Sequence, residues 1–382
     1  VVGSAIRGHV RRVGSRSVGV EEEFLLVEPE SGQPRAVAGT VLAAARQAAG
    51  PAAGVALEFE LKQQQLETNS EPCRTLGELH REIRRGRAAA AAAAEGAGVR
   101  AAALATSPVP VEPQVVGTSR YRRMADVFGL TAHEQLTCGC HVHVGISGDE
   151  EGVAVLDRIG PWLPVLLALS ANSPFWQGQD SSYASFRYQA WGRWPGSGPT
   201  GPFRTAQSYH DTVRQMVQTG TLLDEGMVYF DARLSGHYQT IEIRVADVCL
   251  RADDTVLIAA LARALVETEA RAAREGKAAS RMRTEVLRLA AWRASRSSLD
   301  DGLLSPVTGL PEPAASVAGL LLDHCRDALA DADDTDIVTE LLAALLARGN
   351  GAAYQRAVHR RSGSLPEVIR RAVAVTGNDQ PG

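Results

Sequence analysis

The sequence predicts an α+β fold, an antiparallel sheet covered by helices rather than an alternating β–α–β chain. Two observations carry that expectation. Segments alternating apolar and polar side chains, with the period of two that a strand imposes, fall before Asp253, whereas nearly everything after it repeats with helical spacing. Neither an internal repeat nor a linker interrupts the 382 residues, so one large domain suits the length.

The elements follow in order. Residues 17–27 form a first strand with Val18, Val20, Glu22, Phe24 and Leu26 on one side and Gly19, Glu21, Glu23 and Leu25 on the other. A helix over 40–49 ends near Gly50-Pro51, and residues 57–68 mix Glu, Gln and Leu, with Glu60 and Glu67 the acidic groups of interest. Residues 78–95 make a long helix whose arginines suit a solvated face. Two further strands run over 99–105 and 136–146, and in the second His141 and His143 share a side. Residues 149–171 are mostly helical, while the Gly-, Pro- and Trp-containing stretch 178–203 reads as a structured loop. Strands are expected over 228–234 and 240–248, then helices over 256–275, 281–296, 314–330, 336–347 and 365–374.

Bulk properties narrow the function. Hydrophobic residues at 45% and charged residues at 22% are ordinary for a globular protein, and a formal charge of −4 gives no electrostatic reason to expect nucleic acid. No membrane partner is expected, because the longest apolar stretch, 162–176, is broken by Pro164 and Pro174 and is too short to span a bilayer. Residues 1–16 carry Arg7, Arg11, Arg12 and Arg16 without an apolar core, which suits a flexible tail and not a secretory signal. Five cysteines, an odd number in a large chain, point to reduced thiols and a cytoplasmic location. The Cys138-Gly-Cys140 pair lacks the spacing of a redox or zinc motif.

Chemistry concentrates on three strands, which place Glu21 with Glu23, His141 with His143, and Glu242 with Arg244 on common faces. A solvated sheet face accounts for any one pair, but three such pairs are expensive to bury unless cations receive them. Carboxylates with at most one or two imidazoles favour magnesium or manganese over zinc, and magnesium among carboxylates suits a phosphate-bearing substrate. Arg244 on the same face fits a clamp on phosphate charge. No Walker A sequence, dinucleotide fingerprint or Gly-x-Ser-x-Gly elbow is present.

The segments Gly19-Val-Glu-Glu-Glu-Phe24, Leu66-Glu-Thr68, Cys138-Gly-Cys-His-Val-His-Val-Gly145 and Ile241-Glu-Ile-Arg-Val-Ala-Asp247 resemble those of the bacterial carboxylate–amine ligases of the YbdK type, a branch of the glutamate–cysteine ligases. Residues 166–176, Tyr183-Ala-Ser-Phe-Arg187, Trp191-Gly-Arg-Trp-Pro195 and Gly349-Asn-Gly-Ala-Ala-Tyr-Gln355 extend the likeness over 17–376. The resemblance implies a glutamine-synthetase-like catalytic domain over 17–376, with ATP and metal ions on the concave face of its sheet and a short tail at 377–382. It implies Glu21, Glu23, Glu67, His141 and Glu242 as magnesium ligands, with Glu60 a weaker candidate. Arg244 would touch the transferring phosphate, Arg187 and Arg233 would hold the carboxylate substrate or stabilise charge near the acyl phosphate, and His143 would contact nucleotide or support a ligand. Glu21, Glu23, His143 and Arg244 then form the ATP-binding set.

The expected activity is ATP-dependent amide-bond formation through an acyl phosphate. The partners would be small-molecule carboxylates and amines, such as glutamate and cysteine, and the late helices leave room for a homo-oligomer. The chain departs from the family pattern at Asp180-Ser-Ser-Tyr183, Arg233-Leu234, Gly236-His-Tyr-Gln239 and Ser297-Ser298, in loops expected near substrate. Two other readings compete: a zinc amide hydrolase built on His141 and His143, and a non-catalytic ATP-binding relative.

Overall fold

The computed structural model describes residues 15–49, 57–280 and 282–377. Its centre is a seven-stranded antiparallel sheet made of β1 (Val18–Val27), β2 (Leu57–Glu58), β3 (Gln65–Asn69), β4 (Arg100–Ala102), β5 (Gly139–Gly145), β8 (Ala232–Leu234) and β9 (Thr240–Asp247). The order is β2-β3-β1-β5-β9-β8, with β4 paired to the C-terminal end of β1. Two short strands, β6 (Phe175–Trp176) and β7 (Gln179–Asp180), form a separate hairpin. The α+β expectation therefore holds.

One face of the sheet is the core. Val18 and Val20 belong to β1, which packs against the helices Leu76–Gly96 and Ala252–Arg274, Val142 and Val144 to β5, which packs against Ala252–Arg274, and Ile241 and Ile243 to β9, which packs against the helix Leu163–Ser170. Helix Leu76–Gly96 starts at a capping box, in which Thr75 accepts from the Glu78 backbone and Glu78 returns the bond. Helix Ala252–Arg274 is buried nearly all round, which its run of Ala, Leu, Val and Ile permits. On this buried side Glu22 meets Arg87: Arg87 Nη2 and Nε donate to its two oxygens at 2.6 and 3.0 Å, and Thr255 Oγ1 adds a third bond at 2.7 Å. Glu22 and Arg87 are 2% and 3% exposed, so each charge is placed there only because the other is.

Some expectations change. The stretch 178–203 is not wholly loop: Phe186–Trp191 forms a short helix that sequence periodicity could not reveal, because six residues give less than two turns. Helices Ser119–Phe128, Ala206–Gln218 and Gly351–Ser362 were not expected, although Thr118, Thr205 and Asn350 cap them in the usual way. The expected helix over 149–171 is two helices, Asp149–Ile159 and Leu163–Ser170, joined by a tighter turn containing Pro161. By length and composition residues 149–170 could cross a bilayer, yet 78% of the most apolar window is buried inside the fold.

Most of the expected tails, 1–16 and 377–382, lie outside the described residues, as does the helix end near Gly50-Pro51. Arg16, at the edge of the first tail, pairs with Glu151 and Glu267 at 2.7 and 2.6 Å. All five cysteines are buried and unpaired, and burial pushes the thiols of Cys138 and Cys140 well up, away from metal or redox chemistry.

Candidate active site

The second sheet face carries the ionisable groups, and strand register brings them together. Glu23 lies opposite Glu67 of β3, Glu21 opposite His141 of β5, His143 opposite Glu242 of β9, and Glu242 opposite Arg233 of β8. All of them, with Glu60 from the chain just after β2 and Arg244 from β9, line one cavity of 540 Å³. Nine of the ten charged or imidazole residues expected in the site, Glu21, Glu23, Glu60, Glu67, His141, His143, Arg233, Glu242 and Arg244, therefore share this cavity, and Arg187 is the tenth.

The contacts are dense. His141 Nδ1 lies 3.1 Å from Glu21 Oε2, while its Nε2, 4.0 Å from Glu23 Oε1, has no hydrogen-bond partner among the described residues. His143 Nδ1 lies 2.9 Å from Thr240 Oγ1, and its Nε2 approaches Glu21 Oε1 to 3.0 Å without hydrogen-bond geometry. Glu23 accepts from the backbone N–H of Gly139 at 2.7 Å. Glu242 holds both arginines: Arg233 Nε donates to it at 2.7 Å and Arg244 pairs with its other oxygen. Arg244 also lies over the Tyr229 ring, 5.9 Å from the centroid.

Two groups of three ligand atoms each fit within 4.8 Å: Glu21 with His143 and Glu242, and Glu23 with Glu60 and Glu67. The second is a set of carboxylates, none of them ion-paired with a lysine or arginine among the described residues. Burial, then the charge of Glu23, pushes Glu60 up to about 8, and burial with Glu21, Glu60 and Glu23 raises Glu67 well above the usual carboxylate range. In contrast, burial raises Glu21 less than His141 and His143 lower it, and burial of Glu242 is outweighed by Arg244 and Arg233, which bring it down to about 2. Burial, then Arg244, lowers His141, so it is a neutral imidazole at pH 7. Hydrogen bonding of Nδ1 to Glu21 leaves the Nε2 lone pair facing Glu23, an arrangement suited to ligating a cation.

These donors fit a divalent ion with oxygen preference. Each group offers two or three carboxylates, at most one imidazole and no thiolate, which matches magnesium or manganese better than zinc.

Arg187 stands apart from the other nine. It lies outside the glutamate cavity, 1% exposed, with Nη1 4.0 Å from Asp247 and with Gly139 beneath its guanidinium. Arg187 lines a second cavity of 410 Å³ with Tyr188, Trp191, Trp194, Asp231, Arg288 and Trp292. Arg244, Tyr229 and Trp191 line both cavities, so the two adjoin there. Sequence reasoning missed Asp231 and Tyr188, whose side chains are joined by a 3.0 Å hydrogen bond from the phenol. Asp231 alternates with Arg233 along the strand expected over 228–234, and that spacing was the available signal.

The chain matches the family model described as "Glutamate-cysteine ligase family 2(GCS2)" over residues 17–374. A protein of Streptomyces avermitilis, provisionally named glutamate–cysteine ligase 2-1, is 54% identical over 94% of this chain and 99% of its own length. A Streptomyces coelicolor protein provisionally named glutamate–cysteine ligase 2 is 53% identical over the same shares, 94% and 99%. Among solved structures, a bifunctional glutathione synthetase from Pasteurella multocida superposes with a TM-score of 0.70 at 14% identity, over 97% of this chain and 54% of that one. This chain thus spans about half of that enzyme. A glutamate–cysteine ligase from Francisella tularensis, solved with AMP, gives a TM-score of 0.65 at 13% identity over 95% of this chain and 89% of that one. At such identities these two structures bear on the fold, while the sequence relatives and the family model bear on descent. Together they establish that the chain belongs to glutamate–cysteine ligase family 2 and is a carbon–nitrogen ligase.

Proposed function

We propose that the chain uses ATP to activate a carboxylate as an acyl phosphate and passes the acyl group to an amine, with glutamate and cysteine, the substrates in its relatives' names, the first pair to try. The observation that carries this reading is the pair of three-ligand groups beside Arg233 and Arg244 in one cavity. A carboxylate is a poor electrophile and oxide a poor leaving group, so condensation needs phosphate as the leaving group. Divalent ions, when bound, offset charge on phosphoryl oxygens.

The chain's own residues supply the rest. Glu21, His143 and Glu242 would hold one ion, and Glu23, Glu60 and Glu67 a second, with neutral His141 between them. Glu242 is shared: Arg244 and Arg233 both rest on it. Glu242 would then serve as a ligand as well as the partner of Arg244, whose guanidinium lies where it could meet phosphoryl oxygens. Arg187, in the adjoining cavity, suits the carboxylate of a substrate better than the phosphate.

The zinc hydrolase reading loses support because neither ligand group contains both histidines. Release of ADP that requires both glutamate or another carboxylate and an amine tests the proposal. ADP release indifferent to every amine, or amide hydrolysis without ATP, opposes it.

A further inference from the structure

The second cavity holds a carboxylate that the reaction above leaves unused. Asp231 faces Arg244 across the strands, since Arg244 N donates to Asp231 O at 2.9 Å and the register of β8 on β9 continues from Arg233–Glu242. Side chains directly opposite share a face with Cβ atoms about 5 Å apart. Asp231 therefore stands beside Arg244 on the site face, on the side away from the glutamates. It is 8% exposed, accepts a hydrogen bond from Tyr188 Oη at 3.0 Å, and is ion-paired with no residue among those described.

We infer that Asp231 is the proton acceptor for the incoming amine, and that the second cavity is where that amine binds. This rests on the acyl-phosphate reading proposed above. Three features support it. Trp191, Tyr229 and Trp292 wall the cavity with aromatic faces, which attract an ammonium. Arg288 and Arg187 line the same cavity, and two buried donors there, Arg187 Nε and Trp194 Nε1, have no hydrogen-bond partner among the described residues. Such donors suit the carboxylate of an amino acid whose ammonium meets Asp231. Burial pushes Asp231 up to about 7 despite the Tyr188 hydrogen bond and the charges of Arg187 and Arg288. That is close to where an α-amino group releases its proton, about 8.

The step balances. Asp231 takes one proton from R–NH3+, the freed lone pair forms the N–C bond, and the C–O bond to phosphate breaks. The second nitrogen proton leaves with phosphate as HPO4 2−, and Asp231 returns its own proton to solvent as product departs. Tyr188 is a positioning residue that fixes the carboxylate from helix Phe186–Trp191.

Hydroxylamine separates the two half-reactions, because it is already uncharged at neutral pH and needs no base to attack an acyl phosphate. The wild-type chain is assayed with ATP, Mg2+ and glutamate, first with hydroxylamine and then with cysteine and the other standard amino acids as acceptors. Asp231→Asn should cut amine-dependent ADP release by about 100-fold while hydroxamate forms within about threefold of wild type. Tyr188→Phe, which leaves the carboxylate in place, should slow amine transfer by about 10-fold and likewise spare hydroxamate. A loss shared equally by both acceptors, or amine transfer unchanged in Asp231→Asn, overturns this inference alone. A wild-type chain that forms neither hydroxamate nor any amide overturns the ligase mechanism itself.

Discussion

Three consecutive glutamates, Glu21, Glu22 and Glu23, carry opposite burdens, and replacing them one at a time separates fold from site. Glu22→Gln keeps the shape and removes the charge facing Arg87. Two guanidinium bonds and the Thr255 bond then meet an amide instead of an anion. Breaking a buried pair costs about 3–5 kcal/mol, and Arg87 keeps its bonds to the carbonyls of Cys249 and Leu250, so the low end, about 3 kcal/mol, applies. An unfolding entropy of about 2.1 cal/mol/K per residue gives about 0.8 kcal/mol/K for the chain, so Tm should fall by about 4 °C. Mg2+ binding, measured on the folded variant, should be unchanged, since Glu22 is on the opposite face from the cavity. Glu67→Gln should do the reverse: it relieves the crowding of Glu21, Glu23 and Glu60, so Tm without metal holds or rises, while Mg2+ no longer stabilises the protein. The assay is thermal unfolding by circular dichroism with and without Mg2+. A Glu22→Gln protein as stable as wild type, or a Glu67→Gln protein that Mg2+ still stabilises fully, would refute the division of faces.

Other consequences are checked more briefly. Burial would raise Glu151, but Arg16 and the Ser147 N–H overcome it and bring it down to about 2, so it stabilises the fold above about pH 4.5 and that stability is lost as pH falls towards 2. With the partial exposure of the pair allowed for, about 2 kcal/mol is at stake, and the urea midpoint should drop less between pH 6 and pH 3 in Glu151→Gln than in wild type. A parallel drop in both proteins would contradict this. Ser182 has φ +63°, and its N–H bonds Asp180 at 2.9 Å, so Ser182→Gly should relieve strain, keep that bond and stabilise by about 0.5–1 kcal/mol, read as a higher Tm. In Gly139→Ala the new methyl would collide with the Arg187 guanidinium next to the N–H that holds Glu23. Turnover should fall on the order of 100-fold, and an unchanged kcat would show that neither group needs its place.

Strand alternation made the site largely legible in the sequence, because two residues on one strand with one between them must share a face. That rule alone places Glu21 with Glu23, His141 with His143 and Glu242 with Arg244, and the structure places all six as it requires. It does not say which strands are neighbours, and Glu67 and Glu60 enter the site only through β3 and the chain after β2. Arg187 shows the limit from the other side. Its segment resembles a family motif, yet a six-residue helix turns it into the adjoining cavity, a direction that depends on packing against Gly139 and Asp247. The altered positions Ser182 and Ser298 also become intelligible only in three dimensions, since both hold positive φ where glycine is at ease. Ser298 has a compensating role: its hydroxyl bonds Ala168 O at 2.6 Å and accepts from Asn350 at 2.8 Å.

Counting bound cations tests the central claim most directly. With Mn2+ in equilibrium dialysis and a non-hydrolysable ATP analogue present, the wild-type chain should retain two ions, with Glu21→Gln and Glu67→Gln each losing one. Retention of no Mn2+, or two ions held equally by all three proteins, would mean that these carboxylates do not gather around metal.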